Sequence, residues 1–331
     1  MATSASIQVL DLRHFAAPML RPLLEAESEL WLQRLHWDYS SSSRLLMQYL
    51  DNHMLPGYAA IDAGEVTGYT FCVYEQTKAV IGDVFARRDA GTGTSARDVE
   101  ETLLTHLFET LLNSPQLDRI ESQLLLHPAG THAAAFQHAG FQIFRRLFMA
   151  LPLGKNQTAE EIPLPPELEM RPWRDEDLNP AARLISQAYA NHPDSRINDQ
   201  YHSIHGSTRF LHNIVRYSGC GIFSSSASHV ILHRLSRELM GLVLASRVSQ
   251  QSGHITQLCV SPDYRRRGLA RKLLAAAASQ FQRRSMQEIS LTVTETNHDA
   301  VALYRSEGYH TRHTFDAAVW QRTPRAWPAV A

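Results

Sequence analysis

The residues best suited to chemistry on a charged group lie between 255 and 271. Ile255-Thr256-Gln257-Leu258-Cys259-Val260 is apolar and β-branched enough for a strand. Ser261-Pro262-Asp263 ends it, since proline cannot continue a central ladder. Arg265, Arg266, Arg267 and Gly268 follow. Leu269, Leu273, Ala276, Ala277 and Phe281 then recur at a spacing that places them on one helical face. The first amides of a helix have no partner inside it, and the aligned peptide dipoles make that end positive. A glycine there lets an anion come close to the backbone, and three guanidinium groups add charge around the same point. The chemistry this arrangement would serve is the binding of a pyrophosphate. The plainer reading is a solvated basic turn that precedes a helix.

The pattern Arg265-x-x-Gly268-x-Ala270, directly after such a strand, resembles the acyl-CoA loop of the GNAT superfamily of N-acyltransferases, Gln/Arg-x-x-Gly-x-Gly/Ala. A second segment, Ala300-Val301-Ala302-Leu303-Tyr304-Arg305-Ser306-Glu307-Gly308-Tyr309, is similar to that family's Ala-x-x-Leu-Tyr-x-x-x-Gly-Phe/Tyr. The resemblance is strong over about residues 229–310. It implies acetyl-CoA as co-substrate and an amine as acceptor. It also implies that the strand before the loop splays from its neighbour and leaves main-chain amides for the pantetheine arm and the thioester carbonyl. In that frame Leu258 and Val260 supply the backbone contacts, with Cys259 a small core side chain between them. Arg265, Arg266, Arg267, Gly268, Leu269, Ala270 and Arg271 surround the pyrophosphate.

By the same resemblance Asn297, seven residues before Tyr304, lies beside the amides of CoA, although asparagine is equally suited to cap a helix. The phenol of Tyr304 protonates the departing thiolate; the plainer alternative is an aromatic knob on an amphipathic helix. The general base departs from a common family pattern. Many relatives carry Glu twelve residues before the tyrosine, where this chain has Thr292. Two substitutes are expected. His254 stands fourteen residues before Gly268, where other relatives place a Glu, and an imidazole titrates near neutrality. Glu295 could act through water. His254 is preferred.

Composition narrows the alternatives. A formal net charge of −1 gives no global field for nucleic acid, so the three arginines read as a local anion site. The cysteines, Cys72, Cys220 and Cys259, are odd in number and far apart, which argues against a disulfide framework or a thiolate metal site. Among 17 histidines, Tyr201-His202-Ser203-Ile204-His205 with His212 has a helical spacing. No acid or cysteine accompanies it at a ligand spacing, and no metal is expected. Residues 191–220 correspond to the variable substrate side, where Arg196, Tyr201, His202 and Arg209 are candidates to touch an acceptor. No signal peptide and no membrane-length apolar run is seen, so a soluble, cytoplasmic protein without membrane or nucleic-acid partners is expected.

The elements that must position these residues occur twice. A chain of 331 residues suits two domains. Phe136 and Tyr304, 168 residues apart, sit in matching helices before Gly140-Phe141 and Gly308-Tyr309; Gly68 and Gly241, 173 apart, sit in matching hairpins. The expected fold is α/β (α+β): two tandem GNAT-like domains, each a mixed, mostly antiparallel twisted sheet flanked by helices. The expected boundaries are 1–151 for the first copy, 152–167 for a proline-rich linker and 168–331 for the acetyl-CoA-binding copy. Where the second copy has its basic loop, the first has Asp89 to Arg97, and where the second has Tyr304 the first has Phe136. The first copy is therefore expected to be degenerate, with a structural or substrate-shaping role. The expected activity is N-acetyl transfer to an unidentified amine, on a small molecule or a protein N-terminus. The alternatives are a non-catalytic acyl-CoA-binding sensor or scaffold and, last, a nucleic-acid binder. Oligomeric state stays open.

Overall fold

A computed structural model describes residues 7–62, 64–87, 95–154, 163–217 and 220–323. In chain order the elements are β1 (Gln8–Asp11), α1 (Ala17–Leu35), α2 (Ser40–Asp51), β2 (Gly57–Asp62), β3 (Glu65–Glu75), β4 (Lys78–Ala86), α3 (Ala96–Leu112), β5 (Arg119–Gln123), α4 (Ala133–His138) and β6 (Gln142–Pro152). They continue with β7 (Leu168–Pro172), α5 (Leu178–Tyr189), α6 (Ile204–Arg216), β8 (Ile222–Phe223), β9 (His229–His233), β10 (Leu239–Arg247), β11 (Ser252–Val260), α7 (Leu269–Arg283), β12 (Glu288–Thr294), α8 (His298–Ser306) and β13 (His310–Gln321).

The chain divides into two compact units. The first comprises Met1–Glu27, Ser43–Phe144 and Phe315–Ala331. The second comprises Ser28–Ser42 and Arg145–Thr314. The expected division at 152–167 is therefore not where the units part. Strand β6, expected in the first copy, runs antiparallel to β12 of the second unit from Glu288↔Pro152 to Thr294↔Arg146. The end of β13 instead pairs with β5 of the first unit, from Ala317↔Gln123 to Gln321↔Arg119. Alternation and β-propensity mark these segments as strands. They carry no information about which edge each strand completes.

The sheet of the second unit runs β6-β12-β11-β10-β9-β7, with β8 on β10; only β11 and β12 are parallel. Both faces are covered, which is why Leu239 to Ala245 reads as an unbroken buried run. Val243, Ala245 and Ile255 meet α7 and α8 on one face. Leu242, Leu244 and Cys259 meet α5 and α6 on the other. Helix α7 buries Leu269, Leu273, Ala277 and Phe281, spaced four apart. Each Leu or Phe removed from water there contributes about 1.5–3 kcal/mol. Gly253 on β11 makes room for the Phe281 ring, since a Cβ at that position would fall 2.5 Å from it.

The sheet of the first unit runs β1-β2-β3-β4-β5 and ends on β13, again antiparallel except for one pair, β4 and β5. Helix α3 covers it through Val99, Leu103, Leu104, Leu107 and Leu111. The order strand, helix, hairpin, parallel crossover, short helix and strand is thus shared by the two units. Among the described residues no helix is long and apolar enough to cross a membrane.

Candidate active site

The site begins where two parallel strands part. β11 and β12 pair from Ser252↔Glu288 to Ile255↔Leu291, and the pairing stops there although both strands continue. On its other side β11 stays paired with β10 as far as Gly241↔Val260, with a bulge that leaves Thr256 as the extra residue. The Thr256 hydroxyl donates to the Leu244 carbonyl at 3.1 Å. A bulge bends the strand that carries it, and this one turns Gln257–Val260 away from β12. Tyr189 reaches the Leu258 carbonyl from the open side, its hydroxyl donating at 3.4 Å. In an antiparallel ladder the N–H and C=O of one residue point to the same side. Leu258 therefore presents its N–H to the gap, and Val260, two residues on, does likewise. Among the described residues no side chain takes either N–H.

The loop that follows is shaped for an anion. Arg266 (φ 62°) and Gly268 (φ 81°) are both left-handed, a combination that turns successive main-chain N–H groups toward one side. Gly268 is the N-cap of α7 and has no side chain to bond its first amides. The arginines expected around one pyrophosphate divide their work. Arg266 is exposed and makes no hydrogen bond or ion pair among the described residues. Arg267 lies over the Tyr264 ring, 4.8 Å from its centroid. Arg265 donates to the Ala188 carbonyl at the end of α5 (3.0 Å). Arg271 is tied to the end of α8 through Ser306 (2.9 Å) and Glu307 (3.1 Å). Leu269 is core and Ala270 half-buried beside it.

Tyr304 lies on α8, 8% exposed, its ring 5.8 Å from that of Tyr309. Its hydroxyl makes no hydrogen bond among the described residues. Burial, and then the charge of Asp194, push its pKa above the ordinary phenol value, while Arg146 pulls it down. The phenol therefore carries its proton. Asn297 does cap α8, accepting the Ala300 N–H at 3.3 Å, and its amide nitrogen also lies 3.2 Å from His192 Nε2. Cys259 is buried and its thiol is pushed well up, so it holds its proton too.

The two expected bases are placed very differently. His254 is 6% exposed, on the stretch of β11 that is still paired. Its Nδ1 contacts Ser290 Oγ at 2.9 Å, and its ring lies against Trp37 (4.9 Å) and Phe148 (5.9 Å). Burial, with Arg146 adding to it, pushes its pKa down to about 3. An imidazole that weak and that enclosed does not take a proton from an ammonium at neutral pH. Glu295 is exposed just past β12, and its N–H donates to the Arg145 carbonyl (3.0 Å). Thr292, at the usual family glutamate position, meets Arg146 Nη2 at 3.5 Å.

The polar groups that do gather here come from 189–201, most of them missed in sequence. His192 is half-buried, with Nδ1 3.2 Å from the Asp194 N–H and 3.9 Å from the Asp194 carboxylate. Burial lowers its pKa, Asp194 opposes that, and Arg265 adds to it. The Thr294 hydroxyl donates to Asp194 at the open end of β12. Tyr201, one of the expected acceptor contacts, packs at a tilt against Tyr189 (4.4 Å between ring centroids) and donates to Gln257 Oε1 at 3.4 Å. Arg196 and His202 are exposed and Arg209 is half-buried. The only hint available in sequence was Asn191-His192-Pro193-Asp194, a turn that places a base and an acid two residues apart.

The corresponding place in the first unit is occupied by its own side chains. β4 and β5 also part after four pairs, Lys78↔Arg119 to Ile81↔Ser122, and Gly82 is the bulge residue. Val84 and Ala86 then match Leu258 and Val260. Asp83 Oδ1 accepts the Val84 N–H at 2.8 Å, and Glu100 Oε1 accepts the Ala86 N–H at 3.2 Å. Helix α3 is capped by Ser95 with a reciprocal bond from Asp98, where α7 has bare amides. Phe136 packs between Phe108 (4.9 Å) and Phe141 (5.1 Å). Asp89 to Thr94 lie outside the described residues.

The donors of the second unit fit a thioester joined to a pyrophosphate: two main-chain N–H groups in the gap between the strands, followed directly by an uncapped helix start and a guanidinium. Residues 194–309 match the acetyltransferase (GNAT) family. A mycothiol acetyltransferase of Geodermatophilus obscurus is 27% identical over 93% of this chain and 90% of its own length. One from Acidimicrobium ferrooxidans is 28% identical over 55% of each. Among solved structures, a GCN5-related N-acetyltransferase from Sphaerobacter thermophilus covers 95% of each chain at 16% identity and a TM-score of 0.60. A tandem GNAT protein from the clavulanic acid biosynthesis pathway covers 96% of this chain and 99% of its own, at 14% identity and a TM-score of 0.58. Residues 194–309 of the second unit thus carry the match to the acetyltransferase (GNAT) family, and the chain as a whole shares the fold of tandem GNAT proteins.

Proposed function

We propose that the second unit transfers the acetyl group of acetyl-CoA directly to a primary amine of a small molecule or a protein N-terminus. The observation that carries this reading is the gap between β11 and β12, which leaves the Leu258 and Val260 N–H groups open and leads straight into the bare start of α7. In the proposed reaction these N–H groups hold the oxyanion that develops on the thioester carbonyl. His192, kept neutral by its lowered pKa, takes a proton from the amine directly or through one water. The amine nitrogen bonds to the carbonyl carbon as the carbon–sulfur bond breaks, and the Tyr304 hydroxyl gives its proton to the departing sulfur. Cys259, protonated and buried, offers no acyl relay, which favours direct transfer.

The test is acetyl-CoA turnover with a panel of amines, following free CoA by chromatography. Two relatives carry the name mycothiol acetyltransferase, so acceptors from mycothiol chemistry head the panel. Release of CoA that depends on the amine is expected. Tyr304→Phe should lower kcat by on the order of a hundredfold with CoA affinity unchanged, and His192→Ala should lower kcat/KM at neutral pH. Undiminished turnover in either variant removes that residue from its role. Tight CoA binding with no amine-dependent release would favour an acyl-CoA sensor.

A further inference from the structure

In the first unit Glu100 on α3 and His127 and His132, between β5 and α4, each bring one ligand atom within 4.8 Å of the other two. Glu100 Oε2 is 3.2 Å from His132 Nε2 and 3.8 Å from His127 Nδ1. Each group is aimed by its surroundings. His127 Nε2 donates to the Val84 carbonyl at 2.8 Å, which leaves the lone pair on Nδ1, the nitrogen facing Glu100. Glu100 is oriented by the Ala86 N–H on its other oxygen. A second contact of this kind, behind the ligating atom, is how metal-binding histidines and carboxylates are held.

His132 separates an ion site from a buried ion pair. It is 4% exposed, and neither ring nitrogen makes a hydrogen bond among the described residues. Nε2 lies close to Glu100 but with no hydrogen-bond geometry, as a nitrogen and an oxygen sharing a third partner would. Tetrahedral Zn²⁺ with bonds of about 2.0–2.1 Å sets neighbouring donors ~3.3 Å apart, and the two measured separations lie on either side of that.

We propose that the first unit binds one divalent transition-metal ion, best Zn²⁺, through Glu100 Oε2, His127 Nδ1 and His132 Nε2, with water completing the shell. The ion ties α3, β4 and the segment before α4 together at the place where the second unit leaves its strands open. Its role is to hold that place shut. The expectation of no metal concerns the histidines of 201–212, which lie in the other unit. Among the described residues His202, His205 and His212 belong to no group of three ligating side chains.

The test uses the full chain, stripped with EDTA, titrated with zinc chloride by calorimetry and with cobalt chloride by visible absorption. One Zn²⁺ per chain and a tetrahedral Co²⁺ band are expected. His132→Ala and Glu100→Gln should each weaken zinc by at least about a hundredfold and remove the band, while His205→Ala changes neither. Equal zinc binding in His132→Ala and wild type overturns the site. So does a wild-type chain that gives neither zinc heat nor cobalt band, whether or not the variants fold.

Discussion

Two histidines bear on the proposed acetyl-transfer site, and their surroundings give them opposite properties. His192 keeps contact with Asp194 and Asn297 at the open end of the strands. His254 is walled in by Trp37, Phe148 and Ser290. Burial, with Arg146 behind it, brings His254 from an ordinary 6.5 down to about 3. The unfolded chain therefore binds this proton near pH 6.5 while the folded chain refuses it until about 3. The stability that comes from keeping the ring neutral is complete above 6.5 and is lost as the pH falls from there toward 3. At pH 5 the loss is about 2 kcal/mol. Urea unfolding at pH 7.5 and 5.0 should show wild type losing about that much more than His254→Asn; equal losses would contradict the neutral, enclosed ring. Spacing alone made Tyr304 and Arg265 to Gly268 legible, because each belongs to a motif fixed within one strand–helix step. His192 and Asp194 were not legible, since 191–220 has no periodic frame and they reach β12 and α8 only through tertiary folding.

At the scale of elements, the strand–loop–helix from β11 to α7 carries the account. Its two left-handed residues are what bring the main-chain N–H groups to one side. Gly268→Ala should cost about 1 kcal/mol of stability and weaken CoA binding as well. Gly64→Ala is the matched control: its φ is +86° with nothing within 4 Å of an added Cβ, and it lies in the first unit. It should cost a similar amount and leave CoA affinity alone. Equal effects of the two substitutions on CoA would show that the loop geometry does not matter. Most helices and strands were readable from periodicity, and α7 in particular from the spacing of Leu269, Leu273, Ala277 and Phe281. Helix α2 was not, because it opens on a run of serines whose helical propensity is poor and whose burial at Ser43, Leu46 and Leu50 comes from tertiary packing. The exchange of β6 and the end of β13 was also hidden, since strand patterning fixes a face and leaves the partner open.

Across the whole molecule, one frame appears twice with two donor sets. Bulge, parted strands and crossover helix recur, with Gly82 matching Thr256 and Ala86 matching Val260. In one unit the amides at the parting are bonded by Asp83 and Glu100, and in the other they are open. Sequence pointed to this asymmetry through Phe136 and through Asp89 to Arg97, which lacks the run of arginines of the second copy. It could not show that carboxylates close the first unit, because Glu100 meets Ala86 only through the fold. The most direct measurement of the central claim is a calorimetric titration of CoA into the full chain, repeated with Arg266→Glu and with Ser95→Ala, which removes the α3 cap. The account predicts one CoA per wild-type chain, binding lost in Arg266→Glu and unchanged in Ser95→Ala. Two CoA per chain, or full-strength binding in Arg266→Glu, would contradict it.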